Sequence, residues 1–133
     1  MVGIVIVSHL NFADVVLKTA ELIVGKIEGS RALSLDPKKD VKVLRSEIIK
    51  ALKEVNSGDG VIILTDMFGG TPSNLAMSFL SDEVEVVSGV NLPMLIRIAM
   101  DREGKDLKTL AVKAKESGRE NINVATEFLN KKK

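Results

Sequence analysis

The stretch Gly3-Ile4-Val5-Ile6-Val7-Ser8-His9 decides the fold. A strand with one face in water alternates apolar and polar residues; from Ile4 to Val7 this run has no polar position and is β-branched throughout. It therefore reads as a strand buried on both faces, the condition of a strand inside a parallel sheet with helices above and below. The run stops at Ser8 and His9. From Phe12 the apolar period changes from strand to helix: Phe12, Val16, Ala20 and Ile23, with Ala13, Leu17 and Val24 beside them, form one stripe that Gly25 is placed to end.

The same alternation continues outward along the chain. Ala32-Leu33-Ser34-Leu35 reads as a short second strand, and Asp40 as the cap of a helix whose apolar face is Val41, Leu44, Ile48, Leu52 and Val55. After the turn-forming Asn56-Ser57-Gly58-Asp59-Gly60, Val61-Ile62-Ile63-Leu64 repeats the buried-strand pattern and stops at Thr65-Asp66. Met67-Phe68-Gly69-Gly70 follows, and Thr71-Pro72 reads as an N-cap with proline at the first helical position, leading a helix through Leu75, Ala76, Phe79 and Leu80. A fourth strand is expected over 84–87. After Ser88-Gly89-Val90-Asn91, Pro93 starts a helix through Met94, Leu95, Ile98 and Ala99, and a further helix over 106–117 is closed by Gly118. In the last segment Ile122, Val124, Thr126 and Phe128 alternate like a strand, while Ile122, Ala125 and Leu129 would suit a helix; the strand is the favoured reading. The expected architecture is α/β: a three-layer α/β/α sandwich with a mainly parallel sheet of order 2-1-3-4. Its crossovers are right-handed, and a C-terminal antiparallel edge strand is open to swapping in a dimer.

Composition narrows the function. At 133 residues the chain reads as a single domain, 1–133, with 45% hydrophobic and 28% charged residues and no solenoid-period repeat. Nineteen basic against eighteen acidic residues leave a formal charge of +1, so no one-sign field is available to hold nucleic acid. The closing Asn130-Lys131-Lys132-Lys133 reads as a solvated end. There is no cysteine, which removes disulfides, thiolate chemistry and sulfur-based zinc sites and fits a cytoplasmic location. The apolar run 2–7 is too short to span a membrane and lacks the basic lead of a signal peptide. With 3% aromatic residues and neither Trp nor Tyr, platforms for stacking bases or flavins are scarce.

In an open parallel sheet, ligands bind beyond the carboxyl ends of the strands, where the strand order reverses. His9 leaves the first strand there, Asp66 leaves the third, and Gly69-Gly70-Thr71-Pro72 runs from that strand into a helix N-terminus. Free N–H groups and the positive dipole end favour an anion, and glycines let it approach the backbone. The segment lacks the lysine of a P-loop and is not a dinucleotide fingerprint. A neutral imidazole nitrogen is nucleophilic near neutral pH, and a carboxylate on the other ring nitrogen fixes which one attacks. Each piece also has a bland reading: a hydrogen-bonded turn histidine, a turn-supporting Asp66, a core Phe68, an ordinary helix start at Asn91 and Pro93. It is their convergence at one crevice that points to phosphoryl chemistry.

Three segments, Gly3-Ile4-Val5-Ile6-Val7-Ser8-His9, Asp66-Met67-Phe68-Gly69-Gly70-Thr71-Pro72-Ser73-Asn74 and Ser88-Gly89-Val90-Asn91-Leu92-Pro93-Met94-Leu95, together with Ser117-Gly118-Arg119-Glu120, resemble the enzyme IIA domain of the mannose family of the sugar phosphotransferase system. The resemblance runs along essentially the whole chain. It implies a relay in which HPr donates a phosphoryl group to IIA, which passes it to IIB and on to a sugar entering through the membrane subunits IIC and IID. On this resemblance His9 matches the phosphorylated histidine, reacting at Nε2, and Asp66 its paired carboxylate. Gly69, Gly70 and Thr71 match the phosphoryl-binding segment; Phe68, Asn91 and Pro93 face protein partners. No metal or cofactor is implied, and a homodimer pairing 122–126 at the subunit boundary is expected. Two rivals stand beside this reading: a regulatory domain of the same ancestry, phosphorylated to switch another protein, and a flavodoxin-like module binding a flavin or nucleotide, which the low aromatic content disfavours.

Overall fold

A computed structural model describes residues 1–131, and the terminal Lys132 and Lys133 of the basic end lie outside the described residues. Strands and helices alternate as β1 (Gly3–His9), α1 (Phe12–Val24), β2 (Ser30–Leu35), α2 (Val41–Val55), β3 (Val61–Thr65), α3 (Gly70–Met77), β4 (Val84–Ser88), α4 (Leu92–Asp101), α5 (Leu107–Glu120) and α6 (Ala125–Lys131). The four strands form one sheet of order β2-β1-β3-β4, and every pairing in it is parallel.

The absence of alternation in β1 and β3 has its explanation in the layers. Ile4, Ile6, Ile62 and Leu64 face α1, α4 and α5, whereas Val5, Val7, Val61 and Ile63 face α2 and α3, so successive residues are buried on opposite sides. Three helix starts are fixed by side chains that accept an otherwise unpaired N–H: Asp40 from Lys42 at 2.7 Å, Asn91 from Met94 at 3.0 Å and Asp106 from Thr109 at 2.8 Å. Each such cap contributes about 1 kcal/mol.

At the amino ends of the strands the chain is stapled. Arg102, at the end of α4, is buried and donates from Nη1 to the Val2 carbonyl at 3.1 Å and from Nη2 to the Glu28 carbonyl. Burial draws its pKa down, partly opposed by the Glu28 carboxylate. Gly3 lies so close to the end of α2 that a Cβ there would sit 2.4 Å from the Val55 carbonyl oxygen.

Three expectations are corrected. The C-terminal segment forms no antiparallel edge strand: Ala125–Lys131 is helical and 122–124 is irregular. Within one chain no strand pairs with it, and a helix satisfies its own N–H and C=O groups where a lone strand cannot. Gly118 does not close α5, which continues to Glu120; a Cβ at Gly118 would lie 2.8 Å from Met94 Cε, so the glycine serves close helix packing. α3 opens at Gly70 rather than after a Thr71 cap, because Gly69 and Gly70, at φ +93° and +85°, make the turn that Thr71 does not.

Candidate functional site

Pairing of Val7 with Thr65 brings the carboxyl ends of β1 and β3 level, so His9 and Asp66 emerge side by side. Asp66 Oδ2 accepts two hydrogen bonds from His9, from the backbone N–H at 2.9 Å and from ring Nδ1 at 2.8 Å, while Oδ1 accepts from the Met67 N–H at 3.0 Å. Burial raises the Asp66 pKa, but these hydrogen bonds and the neighbouring imidazole outweigh it and hold the carboxyl below its ordinary value. An ionised carboxylate only accepts, so Nδ1 carries a proton, and in the neutral ring the lone pair is then on Nε2. The imidazole is half-exposed and Asp66 largely covered.

The free nitrogen faces the start of α3. A Cβ placed on Gly70 would lie 3.3 Å from His9 Nε2 and 3.2 Å from Cε1, a tight contact, and φ at Gly70 is +85°, a conformation that favours glycine. Thr71 is exposed on the first turn. The α3 N-terminus therefore lies beside His9 Nε2, where its free backbone N–H groups and the helix dipole favour an anion.

The turn from β1 into α1 is braced from below. Buried Ser8 accepts from the Ala13 N–H at 2.7 Å and donates to the His9 carbonyl at 3.0 Å. On the neighbouring strand the Thr65 carbonyl accepts from the Gly89 and Val90 N–H groups, each at 3.0 Å, and the Thr65 hydroxyl lies 3.0 Å from that of Ser88.

Of the residues singled out from sequence, the fold brings His9, Asp66 and Gly70 together, with Gly69 and Thr71 flanking. Phe68 stands 74% exposed on the loop after β3. Asn91 points its polar atoms inward: Oδ1 caps α4 and Nδ2 donates to the Gly118 carbonyl at 3.0 Å, fastening α4 to α5. Pro93 is half-buried in the first turn of α4. Sequence reasoning passed over Leu10, which follows the histidine in the left-handed region at φ +46°. That conformation costs a residue other than glycine roughly 1–2 kcal/mol. The signal was available: only two residues separate the end of the strand from the first turn of the stripe.

A family model described as PTS system fructose IIA component matches residues 3–115. The chain belongs to this family. As a IIA-family chain it is 30% identical, over its whole length and 92% of the relative, to the PTS system fructose-specific EIIA component of Bacillus subtilis (strain 168). It is 33% identical over 91% of its length to the PTS system mannose-specific EIIAB component of Escherichia coli (strain K12), of which it spans 38%. Among solved structures, the mannose/sorbose specific IIA subunit of the phosphotransferase system from Enterococcus faecalis superposes with a TM-score of 0.83 at 25% identity, covering 92% of this IIA chain and 93% of that one. Among the described residues, no helix is long and apolar enough to cross a membrane.

Proposed function

We propose that this chain is a phosphohistidine carrier that accepts a phosphoryl group from phospho-HPr on His9 and passes it to a IIB component in the cytoplasm, on the route to a sugar entering through IIC and IID. The observation that carries the reading is the His9–Asp66 pair, with Nδ1 2.8 Å from the carboxylate and Nε2 turned to Gly70 at the helix N-terminus.

The Nε2 lone pair attacks phosphorus in line as the N–P bond of the donor breaks. The electron pair of the old bond returns to the donor imidazole, the phosphoryl oxygens transfer unchanged, and Nδ1 keeps its proton. Asp66 balances the positive charge that the substituted ring acquires, and backbone N–H groups of Gly69, Gly70 and Thr71 hold the phosphoryl oxygens. Donor and acceptor are both phosphohistidines, so transfer is close to thermoneutral and catalysis is mainly alignment and exclusion of water. The relatives carry the names of different sugars, fructose and mannose, which supports a carrier that leaves sugar choice to other subunits.

Incubation with phosphoenolpyruvate, enzyme I and HPr is expected to add one acid-labile phosphoryl group to the intact chain, and none to His9→Ala; acid-stable phosphate in the His9→Ala chain would overturn the reading. The carrier is further proposed to work as a homodimer, with exposed Ile122 and Val124 covered by a second copy. A monomer mass by light scattering at micromolar concentration would contradict the dimer.

A further inference from the structure

Leu10 is, among the described residues, the one residue other than glycine with a positive φ. Leu10 and Asn11 alone separate β1 from α1, and the turn is held by the His9 N–H on Asp66, the Ala13 N–H on Ser8 and the Ser8 hydroxyl on the His9 carbonyl. The left-handed conformation is thus imposed by the turn, and glycine or asparagine would adopt it with less strain. Leucine gains nothing from the fold in return, for its side chain is 78% exposed.

It does not stand alone. Phe12 opens α1, and Met67 and Phe68 follow Asp66; all three side chains are exposed. Single exposed apolar residues are ordinary. Leu10 and Phe12 follow His9, Met67 and Phe68 follow Asp66, and the hydrogen bonds between His9 and Asp66 join the two segments, so the four form one apolar rim beside the histidine. The chain has four phenylalanines, and two of them are on this rim. The apolar grooves between β4 and α5 (≈ 500 Å³) and between α4 and α5 (≈ 430 Å³) are lined by neither His9 nor any rim residue. The rim therefore suits a covering protein face better than a small ligand.

We infer that Leu10 is a docking contact of the carrier, its exposed side chain seated in an apolar face that surrounds the phosphohistidine of the donor HPr. The inference rests on the phosphohistidine-carrier reading above. A residue in this position touches no reacting atom. It strengthens the encounter complex equally in ground and transition states, so its loss is read in KM and not in the maximal rate.

The test measures phosphoryl transfer from phospho-HPr over a range of its concentration for the wild-type chain and for Leu10→Gly, Leu10→Asn and Leu10→Met, with a thermal melt of each. Leu10→Gly and Leu10→Asn are expected to melt no lower than wild type, with KM raised about tenfold, equivalent to about 1.4 kcal/mol of binding, while Leu10→Met keeps the wild-type KM. Wild-type transfer with an unchanged KM in Leu10→Gly would overturn this inference alone. So would a Leu10→Gly chain that melts well below wild type, since Leu10 would then be structural. A wild-type chain that accepts no phosphoryl group would overturn both the inference and the carrier reading.

Discussion

At the carboxyl ends of the strands, His9 closes β1 and Leu10, Met67 and Phe68 follow the strands, all exposed, where the chain turns through Leu10, Gly69, Gly70 and Gly89 at positive φ. At the amino ends, a buried Arg102 spans the Val2 and Glu28 carbonyls, the N-terminal ammonium lies 2.5 Å from Asp59, and Gly3 is pressed against Val55. One end tolerates strain and leaves apolar surface uncovered. At the other, Gly3 has no room even for a methyl group. β1 and β3 between them are buried on both faces, so they transmit position to the site without sharing its chemistry. Substitutions at the two ends should accordingly separate stability from transfer.

The largest expected effect is at the stapled end. Gly3→Ala forces a methyl group against a backbone carbonyl 2.4 Å away, and urea unfolding should show a loss of about 3 kcal/mol, while whatever fraction folds transfers phosphoryl normally. Stability equal to wild type would show that the strand and α2 slide apart freely and that the contrast between the ends is weaker than described.

Asp66→Asn is the counterpart at the site. The amide can present its NH2 to Nδ1, favouring the tautomer with hydrogen on Nε2 and blocking the nucleophilic atom. Single-turnover transfer from phospho-HPr should slow by about 10² with the melt little moved, less than the ~10⁴ of a serine-protease triad because the carrier reaction is near thermoneutral. Transfer at the wild-type rate would reduce Asp66 to a turn residue.

Arg102→Met strips two carbonyls of their buried donor and should cost about 2 kcal/mol in the same urea experiment, without changing the transfer rate of the folded chain. A change in transfer rate at matched folded fraction would link the two ends.

The smallest effect is the pH dependence of Asp66. Its carboxyl titrates below the ordinary value when folded, so its contribution to stability is complete above an unfolded pKa of about 3.9 and is lost as pH falls through the folded one. Wild type should therefore lose slightly more stability than Asp66→Asn between about pH 6 and about pH 3, and equal losses would detach the carboxylate from His9.

Much of this contrast was legible in the residues. Runs without alternation disclosed β1 and β3 as interior strands, and the strand-to-helix joints placed His9, Asp66 and Gly70 at one edge, because local period and turn chemistry act within a few residues. What was hidden depends on distant parts of the chain. Gly118 looked like a helix stop until Met94, from another helix, was seen against it. Asn91 reads from sequence as partner-facing, yet its amide donates to the Gly118 carbonyl. The 122–128 alternation fitted a strand, but an alternating run becomes a strand only where an edge pairs with it, and within one chain the helix won. Leu10 escaped because propensity assigns leucine to helices, whereas the turn geometry around it is set by Ser8 and Asp66.

The central claim is that Nε2 of the single histidine carries the phosphoryl group while Asp66 holds Nδ1–H. Long-range proton–nitrogen spectra of the ¹⁵N-labelled chain, before and after phosphorylation through enzyme I and HPr, read this directly, since one imidazole gives one set of ring signals. Coupling of phosphorus to Nε2, with Nδ1 still protonated, is the expected result. Phosphorus on Nδ1, or on no imidazole nitrogen, would contradict it.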